Sequence, residues 1–158
     1  MKMKRKLFAS LIIILIFSCC SREKNYVSDD LKTLNKLITL PGKPISAKFK
    51  TEQLGDESFI ELGPKDYNLA AIIVYPKNQF DSLKTVIEAQ SESQSKTYKS
   101  DEINTLFKDT IKRRFNFNDA IFTVERTYEP KLFFKNSYRH GECFFGNENE
   151  IYLNLYAL

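Results

Sequence analysis

Tyr67–Tyr75 reads YNLAAIIVY, a continuous apolar run bounded by Asp66 and Pro76. A run of this length that does not alternate predicts a central strand buried on both faces. Upstream, Ile45, Ala47 and Phe49 alternate with Ser46, Lys48 and Lys50, which predicts a half-buried strand. Between the two, Leu54–Asp66 holds Gly55, Gly63 and Pro64 and reads as a loop, with Gly63-Pro64 as a turn and room for a short strand at Ser58–Leu62. Further upstream, Ser28-Asp29-Asp30 precedes Leu31, Leu34, Leu37 and Ile38, a helical spacing with Ser28 as the expected cap. Pro41-Gly42 and Pro44 stop that helix.

Downstream, Asn78 is placed to cap a second helix whose apolar stripe is Phe80, Leu83, Val86 and Ile87. Gln90–Lys99 (QSESQSKTYK) reads as a polar, Ser-rich joint. Ser100 then caps a third helix, with Asp101 and Glu102 in its first turn, Lys112, Arg113 and Arg114 in its last, and Ile103, Leu106, Phe107 and Ile111 on one face. Beyond it the chemistry changes: eleven of the 44 residues 115–158 are Phe or Tyr. Ile121–Tyr128 is β-branched and alternating, Pro130 breaks it, and Leu132–Phe134 can resume it. Gly141–Phe145 and Glu150–Leu158 flank Gly146-Asn147-Glu148-Asn149, a hairpin with a four-residue loop. In its second strand Ile151, Leu153, Leu155 and Ala157 share one face, Tyr152, Asn154 and Tyr156 the other. Strands in runs, rather than strictly alternating with helices, predict an α+β fold: a single mostly antiparallel sheet with about three helices packed on one face.

The 158 residues carry Lys+Arg 24 against Asp+Glu 20. Lys2, Lys4, Arg5 and Lys6 fall in residues 1–18, which hold no acid, so residues 19–158 balance at 20 basic and 20 acidic groups. That balance excludes a nucleic-acid binder driven by bulk positive charge. Leu7–Phe17 is an apolar run of eleven residues behind this basic start, spanning roughly 17 Å, about half a hydrocarbon core. It has the size of a signal-peptide h-region and is short for a membrane crossing. Ile16-Phe17-Ser18-Cys19 follows, with an aliphatic residue at −3, a small one at −1 and Cys at +1. This stretch resembles the lipobox of bacterial lipoproteins, and the leader is similar to those of Bacteroidetes. The resemblance covers residues 1–20. It implies cleavage after Ser18 and lipidation of Cys19 by diacylglyceryl transfer and acylation, hence an exported, membrane-anchored protein of the cell envelope, at the outer membrane in a Gram-negative cell. Cys20 is the competing modified residue, and an ordinary signal peptide cut nearby is the alternative. The expected organisation is 1–18 signal peptide, 19–27 lipidated terminus and tether, and 28–158 one α+β domain.

With Cys19 lipidated, Cys20 and Cys143 remain. Their pairing is open in an oxidising compartment, and Cys143 as a small buried side chain is the favoured reading. His140-Gly141-Glu142-Cys143 brings the single histidine near a thiol and an acid, but residues 140 and 143 point to opposite faces of a strand. A solvated turn histidine is the simpler expectation. Asp56, Glu57, Glu61, Asp66, Glu125, Glu129, Glu142, Glu148 and Glu150 are scattered carboxylates, and a glycosidase would need two of them at a fixed separation of roughly 5 to 9.5 Å. Asn147-Glu148-Asn149-Glu150 lacks EF-hand spacing and reads as a turn. Lys108, Lys112, Arg113 and Arg114 complement a helix dipole, with lipid headgroups or an acidic partner as the alternative. No Gly-rich phosphate loop, G-x-S-x-G, H-E-x-x-H or C-x-x-C occurs, so no cofactor and no metal is expected. Tyr152 and Tyr156, facing away from the aliphatic stripe, are the candidates for a partner-binding surface if that sheet face is open. The sequence therefore points to a non-catalytic protein-binding or accessory module of the envelope, an immunity-type or assembly factor. The alternative is a small envelope hydrolase using carboxylates.

Overall fold

The computed structural model describes residues 27–53, 67–99, 106–107 and 121–157. They form an α+β fold with helices α1 (Leu31–Leu37) and α2 (Lys77–Gln90) and strands β1 (Ser46–Gln53), β2 (Tyr67–Val74), β3 (Gln94–Lys99), β4 (Ile121–Thr127), β5 (Tyr138–Phe145) and β6 (Glu150–Ala157). Four strands make an antiparallel sheet in the order β1-β2-β6-β5, and β3 and β4 make a second, two-stranded antiparallel sheet. The apolar run quoted first is β2, central as expected, with Leu69 through Ile73 buried.

Register explains why both faces of β2 are apolar. Phe49, Ala71, Leu153 and Cys143 lie in one row across the sheet, and Lys48, Ile72, Tyr152 and Phe144 in a neighbouring row on the opposite face. The first row belongs to a core closed by Leu34 and Ile38 of the α1 region and by Phe80 and Ile87 of α2. The second belongs to a separate core closed by Phe122 and Val124 of β4 and by Phe107. The expectation of a single sheet with about three helices on one face is thus corrected: the described residues form two antiparallel sheets. Two helices cover one face. Helical Phe107, the described part of the third predicted helix with Leu106, packs on the other face beside a strand pair. The rest of that helix, with Lys108, Lys112, Arg113 and Arg114, and the Leu54–Asp66 loop lie outside the described residues.

Local chemistry shifts some boundaries. The cap of α1 is Asp30 rather than Ser28: its carboxylate accepts from the Lys32 N–H at 3.0 Å and from the Thr33 hydroxyl at 2.6 Å. Ser28 instead exchanges two backbone hydrogen bonds with Phe49, extending the β1 edge. Helix α2 starts at Lys77 behind Pro76, and Asn78 sits inside its first turn, its side chain accepting from the Gln79 N–H at 2.9 Å. Much of the polar joint expected at Gln90–Lys99 is strand β3, whose backbone is satisfied by β4. Leu132 and Phe133 continue in a short 3-10 turn (Lys131–Phe133) rather than a strand. The β5–β6 hairpin has the predicted loop at Gly146–Asn149, closed by the Gly146 N–H donating to the Glu150 carbonyl at 2.8 Å, with Asn149 left-handed at φ 58°.

Candidate functional site

One half of the strand-covered sheet face is polar. The row Lys50, Ala70, Asn154, Glu142 follows the row of Tyr152, and the row Glu52, Asn68, Tyr156, His140 follows that. Lys50 is 2% exposed and ion-paired with Glu52 two residues on. At the β5 end, Glu142 is the hub. Its carboxylate meets the Lys96 ammonium at 2.5 Å and the Asn154 amide at 3.4 Å, and that amide also donates to the Tyr156 hydroxyl at 2.6 Å. The Tyr98 and Tyr156 phenols lie within reach of the Glu142 charge. Burial, reinforced by the Glu142 charge, pushes the Tyr156 phenol up to about 12 and raises that of Tyr98. Lys96 completes the cluster by lying 5.1 Å from the Tyr98 ring centroid.

These residues come from β3, β5 and β6, and the reason they meet is the fold of β3–β4 over the sheet. Alternation turns Lys96 and Tyr98 inward, while Thr97 pairs with Thr123 at 3.1 Å on the exposed side. Beside the cluster, where β4 leaves the β5 edge, a cleft of about 540 Å³ opens, walled by Glu92, Lys96, Glu129, Lys131, Gly141 and Glu142. Lys131 pairs with Glu129 at 3.1 Å across its rim.

The candidates from sequence separate accordingly. Tyr152 is fully buried: its ring stacks on Phe144 at 4.7 Å and meets Phe107 edge-on at 5.6 Å, and its hydroxyl donates to Glu150 at 3.0 Å. The open face expected around it is filled by the second core. Tyr156 is half-buried in the Glu142 cluster. His140 is exposed, opposite Tyr156, and is not part of the cleft wall. Cys143 is free and buried in the helix-side core, and burial, aided by Glu142, pushes its thiol up to about 12, which suits a packing role. Of the scattered carboxylates, Glu142 and Glu129 share the cleft, Glu125 is exposed and Glu150 is buried against Tyr152. Asn147-Glu148-Asn149-Glu150 is the hairpin turn and the start of β6. Asp56, Glu57, Glu61, Asp66, Cys19 and Cys20 lie outside the described residues. Among the described residues no group of three or more His, Cys, Asp or Glu side chains could hold a metal ion, and no helix is long and apolar enough to cross a membrane.

Lys96, Tyr98 and Asn154 escape a sequence-based search for a site because none belongs to a motif. Lys96 and Tyr98 alternate with Ser95 and Thr97 without a contrast of hydrophobicity, so periodicity gives no strand signal in this Ser-rich stretch. Comparison with protein-family models, with curated proteins and with solved structures finds no match to this chain.

Proposed function

We propose that this chain is a lipid-anchored, non-catalytic recognition module of a bacterial envelope, held to a membrane through Cys19 and offering its inter-sheet cleft to a protein partner. The observation that supports this most is the cleft itself. Its charges are largely neutralised within the protein, as Lys96–Glu142 and Glu129–Lys131 pairs, and what it presents is a mixture of donors and acceptors. Protein interfaces are wet and polar at their rims in this way, whereas sites for small apolar ligands are lined by hydrophobic side chains. Cys143 supplies no nucleophile, since it is buried with its thiol pushed up to about 12.

The tether fits the same role. Ser28 is already bonded to the sheet edge, so the chain from Cys19 to Val27 reaches at most roughly 30 Å. An anchor of that reach concentrates the domain beside a membrane partner.

Two measurements test the reading. Mass spectrometry of the membrane-extracted N-terminus is expected to show a diacylglyceryl-modified Cys19, and a free Met1 or unmodified terminus overturns the anchor. Crosslinking from a photoreactive group at Glu92 in intact membranes is expected to trap a protein, and Lys131→Glu is expected to reduce the yield. Hydrolysis of envelope glycans by the purified chain, abolished by Glu142→Gln, would replace recognition with catalysis.

A further inference from the structure

The edge of β5 carries backbone groups that the other described residues leave open. Cys143 donates to the Tyr128 carbonyl at 2.8 Å and accepts from the Tyr128 N–H at 2.9 Å, so its N–H and C=O point away from β6. Residues 141 to 143 run in unbroken register against Leu155, Asn154 and Leu153. In an antiparallel ladder, backbone groups of residues two apart point to the same side. The N–H and C=O of Gly141 therefore point outward as well, into the cleft that Gly141 helps to wall.

Nothing continues the Tyr128 strand to meet them. Pro130 lacks an N–H, and the chain turns into the 3-10 segment at Lys131–Phe133. Among the described residues, no backbone group pairs with Gly141 on its outer side. Glycine is required there by the neighbouring strand: its φ is 145°, and a Cβ would lie 2.2 Å from the Asn154 carbonyl oxygen and 2.8 Å from the Leu155 Cα. Its consequence on the outer side is a backbone edge bared of any side chain of its own.

We propose that this edge is a strand-addition site, at which an extended segment of a protein partner exchanges two main-chain hydrogen bonds with Gly141. The cleft's volume of about 540 Å³ gives room for the segment. Main-chain bonds give such a mode its affinity, and side chains flanking the edge give it selectivity. Lys96 and Lys131 are occupied by Glu142 and Glu129, whereas exposed Glu92 has no ion-pair partner among the described residues. The matching segment thus carries Lys or Arg opposite Glu92.

The inference rests on the recognition role proposed above and fixes its site and mode. Because a Cβ at Gly141 would disrupt the β5–β6 pairing, the test alters the peptide. Heptapeptides are selected from a random display library on the full-length lipidated chain in nanodiscs, then resynthesised with N-methyl groups at single backbone positions. Binders are expected to carry Lys or Arg and to slow exchange of the Gly141 amide about tenfold. They are expected to lose affinity by up to about tenfold on N-methylation at the one position whose amide meets the Gly141 carbonyl, and little at the others, the size expected for one lost hydrogen bond. Glu92→Lys is expected to weaken them by a similar factor. Failure to select any binder, indifference to N-methylation, or unchanged Gly141 exchange overturns strand addition. A peptide that binds at another surface overturns this site and leaves the recognition role standing. Concentration-dependent protection of Gly141 without peptide would assign the edge to a second copy of this chain and overturn the peptide assignment.

Discussion

The two faces of the four-stranded sheet are built to different rules. On the helix-covered face, Leu69, Ala71, Ile73, Ile151, Leu153 and Leu155 are all buried without trace of exposure, and α1 and α2 close over them. On the strand-covered face, Ala70, Ile72, Phe144 and Tyr152 form a smaller apolar core, and the rows beyond them turn polar at Lys50, Asn68, Asn154, Glu142 and Tyr156. A saturated apolar face contributes stability in proportion to the area it removes from water. A half-polar face contributes less and spends side chains on hydrogen bonds that stabilise little in net terms. The surface that does not maximise stability is the one with chemistry to offer.

The adjacent isoleucines of β2 test this division directly, since Ile73 points to one core and Ile72 to the other. Ile73→Ala is expected to cost about 4 kcal/mol and Ile72→Ala about 2 kcal/mol in chemical denaturation, both within the range for buried aliphatic truncations. Equal losses would show that the strand-covered core is as tightly packed as the other. Tyr75 tests the perfection of the helix face. It is fully buried, and among the described residues its hydroxyl has no hydrogen-bond partner. Tyr75→Phe is expected to raise stability by about 1 kcal/mol by removing an unpaid desolvation cost.

Glu142 tests the polar half. Its charge helps to hold the Tyr156 phenol at about 12, so Glu142→Gln is expected to lower that value toward 10, as followed by NMR of labelled tyrosine. The accompanying stability change is expected to stay under about 1 kcal/mol, because the Lys96 partner is solvent-exposed. An unchanged Tyr156 titration would mean that burial alone sets it. The smallest effect is expected at α1. The N-cap bonds hold the Asp30 carboxyl below its ordinary value, so its contribution to stability is present above the unfolded-state value and disappears as pH falls through the folded one. Asp30→Ala should therefore lower Tm slightly at neutral pH, with the difference closing in acid. A gap that persists in acid would assign the effect to backbone preference rather than to the charged cap.

The legibility of these elements in the sequence follows from what each residue does locally. In β6, Ile151, Leu153 and Leu155 alternate with Tyr152, Asn154 and Tyr156, and the two faces emerge as the period requires. In β3, the inward residues are Lys96 and Tyr98, so the alternation carries no contrast of hydrophobicity and the strand reads as a loop. Ser28 and Asp30 are both good caps, and only the pairing of Ser28 with Phe49 settles which one serves.

The amino-acid sequence by itself determined the α+β class, the buried central strand at Tyr67–Val74, the hairpin around Gly146–Asn149 and the buried role of Cys143, because each follows from periodicity, turn chemistry or composition within a few neighbouring residues. Tertiary structure alone decided that β3 and β4 cover the second face, that Tyr152 is core, and that Lys96, Glu142 and Asn154 meet. Those outcomes depend on contacts between residues distant in sequence, such as Lys96 with Glu142, 46 positions apart, and no local pattern encodes which distant side chains will meet.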